Sequence, residues 1–268
     1  MSANEEDFDR CERFEQATAE RASTTVKRVD VGTLYLNGDL PKVWDRNFLW
    51  LGPGAEGVAA SELVEVTDRL LGEAGVDHRK FLIAAEHLSS DVNKSLIDLG
   101  WSRTDLVTMT LRDGSHGERS PDVEELSAKE YEDFNRTIVQ EFSDGDPDVV
   151  EQLVRLGSLM AKAGNARFFV TKHEGEYVAG THLYSDGRAA QIEDVGTLEA
   201  YRSRGFAKVL MRHVIAEAFD AGHDLIFLVA ETDDWPKGMY ERLGFKVVGH
   251  TLEYKVEPPD EKLNETNE

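Results

Sequence analysis

The chain has 268 residues, enough for one large domain or two small ones. It carries 30 Lys plus Arg against 52 Asp plus Glu, a formal net charge of −22. That balance leaves no basic stripe for nucleic-acid phosphates and nothing to attract an anionic membrane surface. No run reaches the ~18 apolar residues of a membrane span, and the single Cys11 supports neither a disulfide framework nor a cysteine zinc site.

The first 23 residues form a charged segment expected to be helical; they lack the basic and apolar regions of a signal peptide, so the expected location is the cytoplasm. Residues 48–51 read as a strand. The loop after it, Gly52-Pro53-Gly54-Ala55-Glu56-Gly57, fits the glycine spacing of a dinucleotide site. Its candidate ribose-binding acid, Glu86, lies well beyond the usual ~20 residues, and Pro53 removes an N–H donor. A helix from about Ala59 to Leu71, an apolar strand at 81–84, a second helix and another strand complete this half. Glycines, serine and proline at 113–121 mark a loop or linker.

Beyond the linker, residues 123–126 read as a strand, 128–142 and 147–163 as helices, and 168–173 with 177–184 as a hairpin around Glu174-Gly175-Glu176. Residues 191–197 continue the sheet. Ala207, Leu210, Met211, Val214, Ile215 and Ala218 recur at helical spacing and Gly222 stops that helix. Residues 224–230 form a short apolar run typical of a buried strand. Asp233 and Asp234 can cap a helix, Pro236 suits its first turn, Gly244 ends it, and residues 246–255 return as a strand. The last residues, 257–268, have two prolines and several acids and are expected to be disordered.

The strand at 191–197 runs through Leu198-Glu199-Ala200-Tyr201-Arg202-Ser203-Arg204-Gly205-Phe206-Ala207 into a helix. The first N–H groups of that helix have no intrahelical partners, and its dipole favours an anion. Gly205 lets the backbone approach a phosphate, small Ala207 keeps the first turn uncrowded, and Arg202 and Arg204 add charge-assisted donors. This is the composition of a pyrophosphate site; an ordinary strand-to-helix turn with surface arginines is the plain alternative. About thirty residues on stands Trp235-Pro236-Lys237-Gly238-Met239-Tyr240-Glu241-Arg242-Leu243-Gly244-Phe245.

Together these two blocks resemble the acyl-CoA site of the GNAT (Gcn5-related N-acetyltransferase) superfamily. Arg202, Gly205 and Ala207 match its pyrophosphate pattern, with Glu199 where the family often has proline. The resemblance implies an α/β (α+β) fold, with a mixed central β-sheet flanked by helices. It implies acetyl-CoA as acyl-donor cosubstrate, no metal, and an amine acceptor: a small molecule, a protein or peptide N-terminus, or a lysine. Val195, Gly196, Thr197, Arg202, Ser203, Arg204, Gly205, Phe206, Ala207 and Asp233 would bind the cofactor. The family frequently has Asn where Asp233 sits, which puts its contact in doubt. The strand at 192–197 is expected to splay from its neighbour and pair with pantetheine. Tyr240 occupies the family position beside the coenzyme A sulfur; its alternative reading is a packed aromatic.

The implied reaction needs a base, because an alkyl amine is mostly protonated at neutral pH. It also needs fixed N–H donors for the oxyanion, for which the backbone near Val195 and Gly196 is the candidate, and an acid for the thiolate, which Tyr240 can supply. Glu193 is the first choice of base: in a regular strand it shares a face with Val195 and Thr197, whereas Asp194 faces away. A bulge would reverse that assignment. A solvated surface acid is the alternative for Glu193; His173, His182 and His213 could approach the active face, but their plainer reading is as surface or packed residues.

Laid over the second half, the first shows a fainter echo: Phe81-Leu82-Ile83-Ala84 against Phe227-Leu228-Val229-Ala230, and Leu99-Gly100-Trp101 against Leu243-Gly244-Phe245. Gly54 stands for Arg202 and Leu96 for Tyr240. The expected division is therefore a degenerate partial repeat at 24–112, a linker, and a complete domain at 122–256. The two function classes are an N-acyltransferase, transferring groups other than aminoacyl groups, and a non-catalytic acyl-CoA-binding or regulatory protein. The even acidity resembles the haloarchaeal style of salt-adapted proteins, and that account is preferred to long-range attraction of a cationic substrate.

Overall fold

The computed structural model describes residues 2–143 and 146–256; the acidic tail expected to be disordered lies outside them. Helix α1 (Ala3–Ala22) opens the chain, followed by β1 (Thr25–Val29), β2 (Gly32–Leu36), β3 (Phe48–Leu51), α2 (Ala60–Glu73), β4 (Arg79–Ala84) and α3 (Ser90–Asp98). Then come β5 (Ser102–Leu111), β6 (Val123–Leu126), α4 (Ala128–Phe142), α5 (Pro147–Ala163), β7 (Arg167–His173), β8 (Glu176–Asp186) and β9 (Ala189–Thr197). The order ends with α6 (Phe206–Asp220), β10 (Leu225–Glu231), α7 (Pro236–Arg242) and β11 (Lys246–Val256).

Two compact units result, and neither is one contiguous stretch. One holds α1 and Leu106–His250; the other holds Ser23–Asp105 and the chain from Thr251. These units divide the chain differently from the expected 24–112 and 122–256. The end of β5 pairs antiparallel with β10, and the end of β11 pairs antiparallel with β4. The strand that follows the last helix of each half completes the other half's sheet.

In the first unit the strands run β5-β10-β9-β8-β7-β6, and only β9 and β10 are parallel. Neighbouring residues take opposite faces: Phe169 joins the cluster under α6, and Phe168 joins the one under α4. Leu210, Met211, Val214 and Ile215 of α6 are fully buried, each worth about 1.5–3 kcal/mol of apolar burial for a side chain of leucine size. Helix α4 starts at a capping box between Ser127 and Glu130; α5 starts at Asp146 with Pro147 in the first turn.

The stretch expected as a linker is a strap along α6. Gly117 lies against the Ala216 backbone, Glu118 N–H donates to the Arg212 carbonyl at 2.9 Å, and Ser120 N–H donates to His213 Nδ1 at 3.1 Å. Side chains at Gly114 and Gly117 would collide with Phe219 and Ala216, so these glycines serve close packing rather than flexibility.

In the second unit the strands run β1-β2-β3-β4-β11, and only β3 and β4, joined through α2, are parallel. Phe81 is fully buried between Tyr254, at 5.0 Å between ring centroids, and Trp101, at 5.1 Å. Among the described residues no helix is long and apolar enough to cross a membrane.

Candidate active site

The site begins where β9 and β10 part. Their parallel ladder covers Leu225↔Ala189, Ile226↔Ala190 and Phe227↔Gln191, and then stops. Both strands continue, β9 to Thr197 and β10 to Glu231. Each is held on its far side: β10 pairs with β5 as far as Glu231↔Leu106, and Leu198 N–H still donates to the Val178 carbonyl of β8 at 3.0 Å. The gap is thus a fixed feature of the sheet, and residues 192–197 present an edge to it that no strand among the described residues covers. This is the expected splay.

A bulge shapes that edge. His182 pairs with Glu193 and Gly180 with Gly196, so β9 spends two residues, Asp194 and Val195, where β8 spends only Thr181. Asp194 has φ of 54°, in the left-handed region that Asp tolerates better than most residues. The bulge reverses the expected facing. Val195 packs into the cluster under α6, while Gly196 turns toward Ile138 of α4. Glu193, opposite His182, and Asp194, whose carboxylate lies 3.1 Å from His182 Nδ1, share the α4 side. Glu193 therefore does not share a face with Val195, and Asp194 does not face away from Glu193.

Below the gap, the chain turns through Ser203 at φ 61° and Gly205 at φ 89° into α6. The first helical bond is Val209 N–H to the Gly205 carbonyl at 3.1 Å, so the N–H groups of Phe206, Ala207 and Lys208 precede it. Arg202, Ser203, Arg204 and Gly205 are exposed, and the space beside Gly205 Cα is open. Arg202 is anchored to the strand end, its Nε donating to the Thr197 carbonyl at 3.2 Å and its guanidinium lying 5.1 Å from the Phe142 ring centroid. Arg204 lies over Tyr201 and Phe206 and 2.9 Å from His173 Nε2. An exposed helix start flanked by two cations and an open glycine is a ready place for a pyrophosphate.

Tyr240, on α7, is buried against Phe245 and the cluster under α6. Burial, then the carboxylates of Glu193 and Asp234, push its phenol up to about 12. Val195, Phe206 and Ala207 pack against the same cluster. Gln191 donates to the Glu193 carboxylate and, at 3.4 Å, to Glu15 of α1. Asp234 accepts Trp235 N–H at 2.7 Å at the start of α7, while Asp233 is exposed and lies outside this bond. His213 is packed under the strap and His173 lies beside Arg204. The structure thus gathers residues 193–197, residues 202–207 and Tyr240 around one gap. It adds Asp194 and His182, whose places follow from a cross-strand register that residue types do not spell out.

The second unit lacks this opening. The β3–β4 ladder runs through Leu49↔Phe81, Trp50↔Leu82 and Leu51↔Ile83, to the end of β3. A short 3-10 turn at Pro53–Ala55 follows, and a Cβ at Gly54 would overlap the Asp30 carbonyl oxygen. The glycine-rich loop is a packing device here. Leu96, in the place of Tyr240, is fully buried.

Residues 122–245 match the family model described as Acetyltransferase (GNAT) family, and this part of the chain is a domain of that family. Among solved structures, a functionally unknown conserved protein from Staphylococcus epidermidis ATCC 12228 has a TM-score of 0.71 at 16% identity, covering 88% of this chain and 95% of its own. A GCN5-related N-acetyltransferase from Kribbella flavida has a TM-score of 0.63 at 16% identity, over 92% and 95%. A tandem GNAT protein from the clavulanic acid biosynthesis pathway has a TM-score of 0.54 at 12% identity, over 92% and 88%. At these identities the likeness is one of fold. No curated protein matches the chain. No group of His, Cys, Asp and Glu among the described residues could hold a metal ion.

Proposed function

We propose that the protein is an N-acetyltransferase that moves an acetyl group from acetyl-CoA to a primary amine by direct attack in a ternary complex. The observation that carries this reading is the gap between β9 and β10 opening beside the exposed start of α6. The residues fit the cosubstrate. N–H groups at the head of α6, with Arg202, Ser203, Arg204, Gly205, Phe206 and Ala207, would hold the pyrophosphate. The uncovered edge of 192–197 offers main-chain groups to pantetheine, with Val195, Gly196 and Thr197 next to the acyl group; Asp233 has the weakest claim to a contact.

In this reading acetyl-CoA supplies the thioester carbonyl. The amine's lone pair forms the C–N bond, a backbone N–H near Val195 or Gly196 steadies the oxyanion, and the C–S bonding pair leaves with sulfur. Glu193 accepts the proton given up by the amine, directly or through water. Tyr240, kept protonated by burial, gives its proton to the thiolate.

The test is Tyr240→Phe in a thiol-release assay with acetyl-CoA and primary amines. A loss in kcat of about 10²-fold or more is expected from removing a general acid, with acetyl-CoA affinity within about twofold. An unchanged kcat would take Tyr240 out of the mechanism.

A further inference from the structure

The bulge in β9 concentrates two structural costs at one point. Asp194 is a non-glycine residue in the left-handed region. Beside it, His182 is buried to all but 5% of its side chain, between Tyr131 at 5.1 Å and Phe168 at 4.8 Å, and its Nε2 has no hydrogen-bond partner among the described residues. A buried polar atom left unpaired costs about 1–3 kcal/mol and calls for an explanation. The polar contacts of His182 all use its other nitrogen: Nδ1 lies 3.1 Å from the Asp194 carboxylate and 3.5 Å from the Tyr184 hydroxyl. An ionised carboxylate can only accept, so a proton on Nδ1 is drawn toward Asp194. The imidazole is thus positioned to hold Asp194.

What it holds is an exposed anion. The Asp194 side chain is 60% exposed, it immediately precedes the Val195 and Gly196 backbone, and it shares the α4 side with Glu193. Gln191, which ties Glu193 toward Glu15, leads into the same wall. The charged and titratable groups seen to face His182 include Asp194 and Glu193 on β9, Tyr184 on its own strand and Tyr131 on α4.

We propose that Asp194, held by His182, binds the cationic form of the acceptor amine at the uncovered edge of β9, so that the acceptors are amines of net positive charge. This rests on the acetyltransferase reading above and names its substrate class. The preference comes from one placed carboxylate, independently of the overall charge of −22. Asp194 touches the ammonium in this scheme; His182 is a positioning residue. Binding alone is assigned to Asp194, and the amine then loses its proton as already described.

The experiment measures kcat and KM by thiol release from acetyl-CoA with three probes: n-butylamine, putrescine and the zwitterion triglycine. Acetyl-CoA affinity is measured alongside. Wild type should favour the two cationic amines. Asp194→Asn should raise KM for putrescine by about tenfold or more, as expected for loss of a charged hydrogen bond, with acetyl-CoA affinity unchanged. His182→Asn, which keeps an N–H donor, should stay near wild type, while His182→Phe should behave like Asp194→Asn. An Asp194→Asn protein with unaltered KM and unaltered preference overturns the proposal. So does a wild type that binds acetyl-CoA yet acetylates none of the three probes, or favours triglycine. A wild type that fails to bind acetyl-CoA removes the acetyltransferase reading itself, so the two failures are distinct.

Discussion

Tyr240 can act as an acid only while its hydroxyl keeps its proton. Burial is the main reason that it does, and the nearby Glu193 and Asp234 carboxylates add to it by opposing a phenolate. The folded phenol titrates near about 12 against an ordinary value near 10. A raised value means that the folded state holds the proton more tightly. The associated stability is present in full below the unfolded value and is lost as pH rises through the folded one. In a spectrophotometric titration of wild type minus Tyr240→Phe, phenolate from Tyr240 should be absent at about pH 10; a half-point there would contradict the placement of this side chain. Tyr240 is singled out in the sequence by the resemblance, which places a tyrosine four residues before Gly244. The facing of Glu193 and Asp194 was not legible there. Strand parity holds only for a regular strand, and the bulge is set by how β8 registers against β9.

At the scale of elements the local signals were strong. The expected bounds of β6, α4 and α5 coincide with the observed ones, because Ser127 with Glu130, and Asp146 with Pro147, mark helix starts by local chemistry. The stretch at 113–121 is a loop, as its composition indicates; that its glycines answer to α6 is a tertiary contact the sequence does not spell out. The echo between the halves extends to geometry. Gly100 and Gly244 have φ of 89° and 90°, and Trp101 and Phe245 N–H groups donate back to Leu96 and Tyr240 carbonyls, both at 3.1 Å. Their surroundings differ: nothing lies within 4 Å of a Cβ at Gly100, whereas one at Gly244 would sit 2.8 Å from His116. Gly100→Ala should therefore cost about 1–2 kcal/mol, the left-handed penalty alone, and Gly244→Ala should cost more. Urea unfolding of both variants checks this; equal costs would deny the close approach to His116.

At the scale of the whole molecule, the exchange of β5 and β11 was invisible in the sequence. Apolar alternation shows that a segment is a strand, but not which sheet edge it joins. In the first half Leu96 and Gly54 stand where the second has Tyr240 and Arg202, which the sequence shows, while the β3–β4 ladder running to the end of β3 needed the structure. Net charge of −22 on one chain opposes compactness by self-repulsion, which salt screens. The melting temperature should rise as KCl increases from tens of millimolar to molar, with helical circular dichroism weakening at the low end. A melting temperature independent of salt would show that the acidity carries no such cost.

In the proposed function the gap beside α6 receives an acyl-CoA. Calorimetric titration of acetyl-CoA into the folded protein in high-salt buffer tests it most directly, with free coenzyme A and NADH as comparisons and Gly205→Glu as the altered site. The predicted result is saturable binding of acetyl-CoA to wild type, with affinity lost in Gly205→Glu, where a side chain at φ 89° and a negative charge meet the pyrophosphate position. Absence of binding to folded wild type, or undiminished affinity in the variant, would contradict it.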